Sequence, residues 1–288
     1  TSLNAAGAGS QNTAVGQNTL AVNTSGGYQV AVGYGALDSN LTTNNSVGVG
    51  AFALGANTAT DNTGLGYSAA PATTTGIQVT AVGAYACNTN ITGNGNTAVG
   101  YKALFYATGG NNVAVGPSCA EALTTGTSNV FVGAALNASA VGGTNQIVLG
   151  FQVTGNANDS LCFGKDSTDS AIAFGATSIT APSDIRLKED IQDEVVGLDF
   201  INELRPVTFR WKKAKDVPSE MKVHDPDSEE RVMDGKYNHG FIAQEVKELI
   251  DNNPNIKEGF DMWSEDEVDG RQRIGEGALI PMLVKSIQ

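Results

Sequence analysis

Apolar and polar positions in the first half of the chain follow one short cycle. A Val/Leu-Gly step recurs at Gly16, Gly33, Gly50, Gly66, Gly83, Gly100, Gly116, Gly133 and Gly150, at intervals of 17, 17, 16, 17, 17, 16, 17 and 17 residues. Self-similarity at so fixed a period takes priority over any single residue. Each unit reads Asn-x-Ala-Val-Gly-x-x-Ala-Leu and then turns polar, as in Asn96–Leu104 and Asn112–Ala120. Its opening residues alternate apolar and polar, which predicts one short strand. The glycine sits where the backbone turns or meets a neighbour closely. Ala-Leu makes a second apolar contact, and Asn/Thr/Gly/Ser tracts supply the turns. Such a coil cannot bury its apolar face alone, but stacked coils can, as in a parallel β-solenoid. The apolar residues are small, so one column has a thin core, which three chains about a common axis would remedy.

Past Gly150 the glycine spacing shortens, to Gly164 and then Gly175, and the roll is expected to give way to a narrower neck. Another kind of sequence begins at Ser183. Val196, Phe200 and Leu204 predict a short helix ending before Pro206. Val207, Phe209 and Trp211 alternate with polar residues as a half-buried strand. Residues 213–235 are charge-rich, and Asp225–Glu230 reads as a solvated hairpin or disordered loop rather than a calcium loop. Tyr237–Phe241 predicts a strand. Ile242, Val246 and Ile250 form one helical stripe, and Leu279, Leu283 and Ile287 form another that is expected to continue as a coiled coil. The expected domains are a repeat fibre over 1–152, a neck and linker over 153–182, and a separate domain over 183–288.

Charge sharpens this division. The 288 residues carry a net charge of -13, yet residues 1–182 hold only Lys102 and Lys165 against six carboxylates. With no basic patch, nucleic acid is excluded as a partner. No apolar run approaches a membrane span, so no membrane insertion is expected. Cys87, Cys119 and Cys162 lack metal-ligand spacing, and only His224 and His239 could join them, so no metal or cofactor is expected. The chain starts in mid-pattern at Thr1, without a signal peptide, and reads as a fragment. Gly48-Val-Gly50 belongs to the repeat and not to a nucleotide loop, since no βαβ unit follows. The sequons at Asn23, Asn40, Asn90 and Asn137 read as turn chemistry. The absence of an acidic pair from the repeat argues against a glycan-cleaving site.

Ser183-Asp-Ile-Arg-Leu-Lys188 marks the seam. By spacing alone, Ser183 is a helix cap or turn residue and Lys188 a solvated cation. As a nucleophile, Ser183 would need a base. Lys188 could serve only if its pKa fell about three units from ~10.4, roughly 4 kcal/mol, through burial or a neighbouring cation such as Arg186. Asp184 and Arg186 are expected to orient the turn or to pair across subunits.

The repeat over about residues 10–152 resembles the left-handed β-roll heads of trimeric autotransporter adhesins and similar stretches of viral fibres. Four landmarks follow in order: Ser183-Asp-x-Arg-Leu-Lys188, Arg205-Pro-Val-x-Phe-x-Trp-Lys212, Gly240-Phe-Ile-Ala-Gln-Glu-Val246 and Leu283-Val-Lys-x-Ile-Gln288. Together they resemble the intramolecular chaperone auto-processing domain of phage tail fibres, tailspikes and neck appendages. The resemblance implies a trimeric parallel β-solenoid followed by an α+β chaperone domain with a helical, coiled-coil end. It implies a single-turnover serine endopeptidase that cuts between Pro182 and Ser183, with Ser183 as nucleophile and Lys188 as base. Gln244 and Glu245 are supporting candidates. The implied setting is a virion fibre assembled in host cytoplasm as a homotrimer. Its implied partners are other tail or appendage proteins and a host-surface glycan or receptor. A trimeric adhesin or stalk that stays uncleaved is the alternative.

Overall fold

The computed structural model describes residues 9–166, 168–256, 260–266 and 269–288. The chain divides into two compact units between Leu187 and Lys188.

The first unit is a parallel β-solenoid of about nine turns. Each repeat contributes one strand: Thr13–Val15 (β1), Val30–Val32 (β2), Val47–Val49 (β3), Thr63–Leu65 (β4), Thr80–Val82 (β5), Thr97–Val99 (β6), Val113–Val115 (β7), Val130–Ala134 (β8), Gln146–Phe151 (β9) and Ser160–Lys165 (β10). Each pairs in parallel with the next, in the register that the sequence repeat dictates. Thr168–Ala173 (β11) then turns back antiparallel on β10. It covers the open edge that a parallel stack would otherwise present.

Alternation along each three-residue strand decides what the solenoid buries. The middle residue points inward, so Ala31, Gly48, Gly64, Ala81, Ala98, Ala114 and Phe131 stack in register and are buried. Ala36-Leu37, Ala53-Leu54 and Ala103-Leu104 fill the rest of the column and are fully buried. Leu37, Leu54 and Leu104 hold φ of 51°, 51° and 50°. That left-handed turn costs about 1–2 kcal/mol per residue, and burying the leucine, worth about 1.5–3 kcal/mol, offsets it. The periodic glycines have φ between 122° and 141°. A Cβ on Gly83 would lie 2.6 Å from the carbonyl oxygen of Gly100 in the next turn, so close backbone stacking sets the sequence period.

Polar side chains also enter the column. Asn62, Asn96, Asn112 and Asn129 are fully buried. Each Oδ1 accepts a backbone N–H from the next turn: Val79 at 2.9 Å, Asn112 at 2.9 Å, Asn129 at 3.2 Å and Gln146 at 2.9 Å. Each Nδ2 donates to a glycine carbonyl, of Gly76, Gly109, Gly126 and Gly143, at 2.7 to 2.9 Å. These four asparagines form a hydrogen-bonded amide ladder beside a narrow apolar one. The sequon residues Asn23, Asn40 and Asn90 are likewise buried. Outside, Tyr34, Phe52, Tyr67, Tyr85 and Tyr101 form a chain of edge-on rings with centroids 5.2 to 6.3 Å apart.

The second unit contains a few helices and two small sheets. Leu198–Glu203 (α1) is flanked by Val196 and Leu204, and these bury with Phe200 as the pattern requires. Val207–Phe209 (β12) pairs antiparallel with Asn238–Gly240 (β13). Ala243–Asn252 (α2) buries Val246. Trp263–Glu265 (β14) and Gln272–Ile274 (β15) make a hairpin that the hydrophobic pattern did not announce. A 3₁₀ turn at Glu276–Leu279 leads into the last helix, Ile280–Ile287 (α3). One core joins Val196, Phe200, Leu204, Val246, Met262, Leu279 and Met282.

At the C-terminal end Leu279 of the 3₁₀ turn and Met282 of α3 are buried, while Leu283 is 44% exposed and Ile287 87% exposed. The charged segment takes the form of a largely exposed hairpin: Lys213 and Arg231 pair through an antiparallel backbone bridge, and both Lys213 and Lys215 bind Glu229.

Candidate active site

Thr180 is the last residue of the first unit tied to a strand. Its N–H donates to Ala171 O at 2.7 Å, and its own carbonyl accepts from Ala171 N at 2.8 Å. From Ala181 to Val195 every residue is exposed. Burial resumes at Val196. Pro182 and Ser183 lie in an open stretch without regular structure, followed by a single 3₁₀ turn at Ile185–Leu187. Proline fixes its own φ and restrains the residue before it, which favours an extended chain entering Ser183.

Asp184 and Arg186 organise the turn after Ser183. Asp184 Oδ1 accepts the backbone N–H of Arg186 at 2.9 Å, and Leu187 N donates to Asp184 O at 3.0 Å. The Arg186 guanidinium grips the same carboxylate, with Nε to Oδ1 at 3.0 Å and Nη2 to Oδ2 at 2.5 Å. Those hydrogen bonds hold the Asp184 carboxyl below its ordinary range and raise Arg186. Both groups are spent on each other within the turn. Lys188 follows directly and is exposed in the single chain.

The second and third landmarks come together within the second unit. Antiparallel pairing of β12 with β13 sets Val207 opposite Gly240 and Phe209 opposite Asn238. Arg205, just before β12, then reaches Glu245 on the first turn of α2. Its Nε donates to Oε2 at 3.0 Å, and Nη2 donates to Oε1. This bond keeps the Glu245 carboxyl below its usual range. The two residues line a groove of about 220 Å³ with Glu203, Leu204, Phe241 and Glu248. Gln244, beside Glu245, points to solvent. The role of Arg205 was hidden in the sequence, because only strand pairing brings it to Glu245 across forty positions.

Other chemistry is thin. Burial pushes Cys87, Cys119 and Cys162 up to about 12, so none offers a thiolate at neutral pH. Among the described residues, no three His, Cys, Asp or Glu side chains gather as a metal site. No described helix is long and apolar enough to cross a membrane.

A parallel β-solenoid is thus followed, after an exposed linker, by a small domain of helices and short sheets. Residues 183–253 match the Peptidase S74 family, described as chaperone of endosialidase. The match begins at Ser183 and takes in the first three landmarks. That family points to a self-cleaving peptidase domain, and the domain fits a phage tail fibre chaperone. No curated protein and no solved structure matches the chain.

Proposed function

We propose that this chain is a subunit of a phage tail fibre or appendage whose C-terminal domain gathers three copies and then removes itself between Pro182 and Ser183. The observation that carries the reading is where the family match starts. Its first residue, Ser183, lies in the exposed segment between the last bridged residue of the solenoid and the first buried residue of the second unit. In this reading the fibre covers 1–152, the neck and linker 153–182, and the chaperone 183–288.

Ser183 Oγ attacks the carbonyl carbon of Pro182 while Lys188 takes the hydroxyl proton. The Pro182–Ser183 C–N bond breaks, and the Ser183 nitrogen leaves as an amine after accepting a proton. The ester now linking Pro182 to Ser183 Oγ is hydrolysed by water, which yields a carboxylate on Pro182 and a free Ser183 hydroxyl. An attack within one turn gains from proximity. Burial of Lys188 when copies assemble would favour its neutral, basic form, which ties cutting to correct assembly. The paired Asp184 and Arg186 hold the turn, while Gln244 and Glu245 support the folded domain. α3 offers an assembly surface, since Ile280, Leu283, Val284 and Ile287 are exposed at i, i+3, i+4 and i+7, a coiled-coil stripe. On a virion, other tail proteins and a host glycan or receptor would meet the exposed turns of the repeat.

Mass spectrometry of the purified chain tests the cleavage. The expected products are a fragment ending at Pro182 and another starting at Ser183, both absent in Ser183→Ala and Lys188→Ala. An assembled wild-type chain of intact mass would instead support a stalk that keeps its trimerisation domain.

A further inference from the structure

The outer face of the solenoid sheet carries two rows of side chains from the same strands. The first residue of each strand gives one row: Thr13, Val30, Val47, Thr63, Thr80, Thr97, Val113, Val130 and, in register, Ile147. The third residue gives the other: Val15, Val32, Val49, Leu65, Val82, Val99, Val115, Val132 and Leu149. Both rows have the same backbone, the same β-propensity demand and the same side of the sheet. The first row accepts threonine at four of nine turns. The second never departs from Val or Leu, although Val15, Leu65, Val99, Val115, Val132 and Leu149 are 36% to 57% exposed. Strand propensity explains the first row, because Thr and Val serve a solvated strand alike. It does not explain why the second excludes threonine.

We infer that this nine-residue aliphatic stack is the face through which copies of the chain pack against one another. The inference rests on the trimer reading above and says which surface of the fibre serves it. With strands about 4.8 Å apart, the stack runs roughly 40 Å, and both rows together span on the order of 500 Å². That is at the upper end of what a monomer leaves exposed, and it falls short of the ~800 Å² per partner of a standard interface. The two rows together are large enough to need cover and too small to assemble the fibre alone, so a second assembling element is required. The occupant is a second copy because its surface has the same period. The row is also uncharged along its whole length, which suits an identical partner and gives no hold to a charged one.

The test uses the full chain. Val82→Lys with Val99→Lys is compared with Thr75→Lys with Thr125→Lys, which places the same charge on exposed turns outside the stack. Light scattering gives the particle mass, and circular dichroism checks that the strands persist. The valine pair is expected to weaken the trimer, so that it dissociates at a dilution where the wild-type chain and the threonine pair stay trimeric, with strand signal intact. As a second measurement, Val99→Cys is expected to form interchain disulfides on mild oxidation and Thr75→Cys is not; the native thiols are buried. A valine pair that stays trimeric at that dilution, or cross-linking at position 75 and not at 99, overturns the assigned face and leaves the trimer reading standing. A wild-type chain that is itself monomeric overturns both, whereas release of the Ser183 fragment reports separately on cleavage.

Discussion

Asn112 supplies hydrogen bonds that the backbone of a tight coil cannot supply for itself. Its Oδ1 accepts the Asn129 N–H at 3.2 Å, and its Nδ2 donates to Gly126 O at 2.9 Å, with no exposure to water. An alanine leaves a donor and an acceptor buried without partners, each worth about 1–3 kcal/mol. Asn112→Ala should therefore destabilise the folded chain by about 2–6 kcal/mol in denaturant unfolding, and Thr125→Ala, on an exposed turn, by much less. An unchanged midpoint for Asn112→Ala would mean that water reaches the ladder. The ladder was only half legible in the sequence. The asparagines stood out as part of the repeat, but asparagine is also the commonest turn former, and composition does not separate an Asn that bends a chain from one that ties two turns together.

At the scale of elements, the legible features were those with a long period or a clean stripe. Eight intervals of 16 or 17 residues marked the solenoid strands, and Val196/Phe200/Leu204 and Ile242/Val246/Ile250 located α1 and α2. The hairpin of β14 and β15 was not visible, because its strands are three residues long and mostly polar. The burial of Met282 on α3 was not legible, because the helix is apolar on two sides and only its core contact singles that residue out. The charged segment over 213–235 read as a solvated hairpin or disordered loop, and its ends meet through a backbone bridge beside one carboxylate shared by two lysines. Hydrogen bonds from Lys213 and then Lys215 hold the Glu229 carboxyl down to about 2. A carboxylate depressed in the folded state stabilises it above the ordinary pKa of 4.5 and loses that contribution as pH falls from there toward about 2. In an NMR titration Glu229 should stay ionised at a pH where ordinary glutamates are largely protonated. Replacing both lysines by glutamine should return its midpoint to the ordinary range. A normal midpoint in the wild-type chain would show that the loop is not pinned by this pair.

At the scale of the molecule, the repeat that makes the solenoid easy to build makes an assembly of solenoids hard to align. If copies pack through the aliphatic stack, sliding one copy by a whole turn sets Val against Val or Leu again, with little loss of contact. The repeat therefore specifies a face but only weakly a register, as expected of any strand system whose neighbours look alike. In the proposed reading, a non-repeating domain at one end would remove the ambiguity, and cutting it away after alignment would leave a fibre whose state is kept by the barrier to unfolding rather than by a route back. The expected consequence is asymmetric refolding. The uncut Ser183→Ala chain, unfolded in guanidinium and diluted, should recover its trimer, while the processed wild-type fibre should return misaligned or aggregated. Light scattering with strand circular dichroism reads both. Equal recovery of the processed fibre would show that the repeat finds its own register, and the C-terminal domain would lose its role as a template.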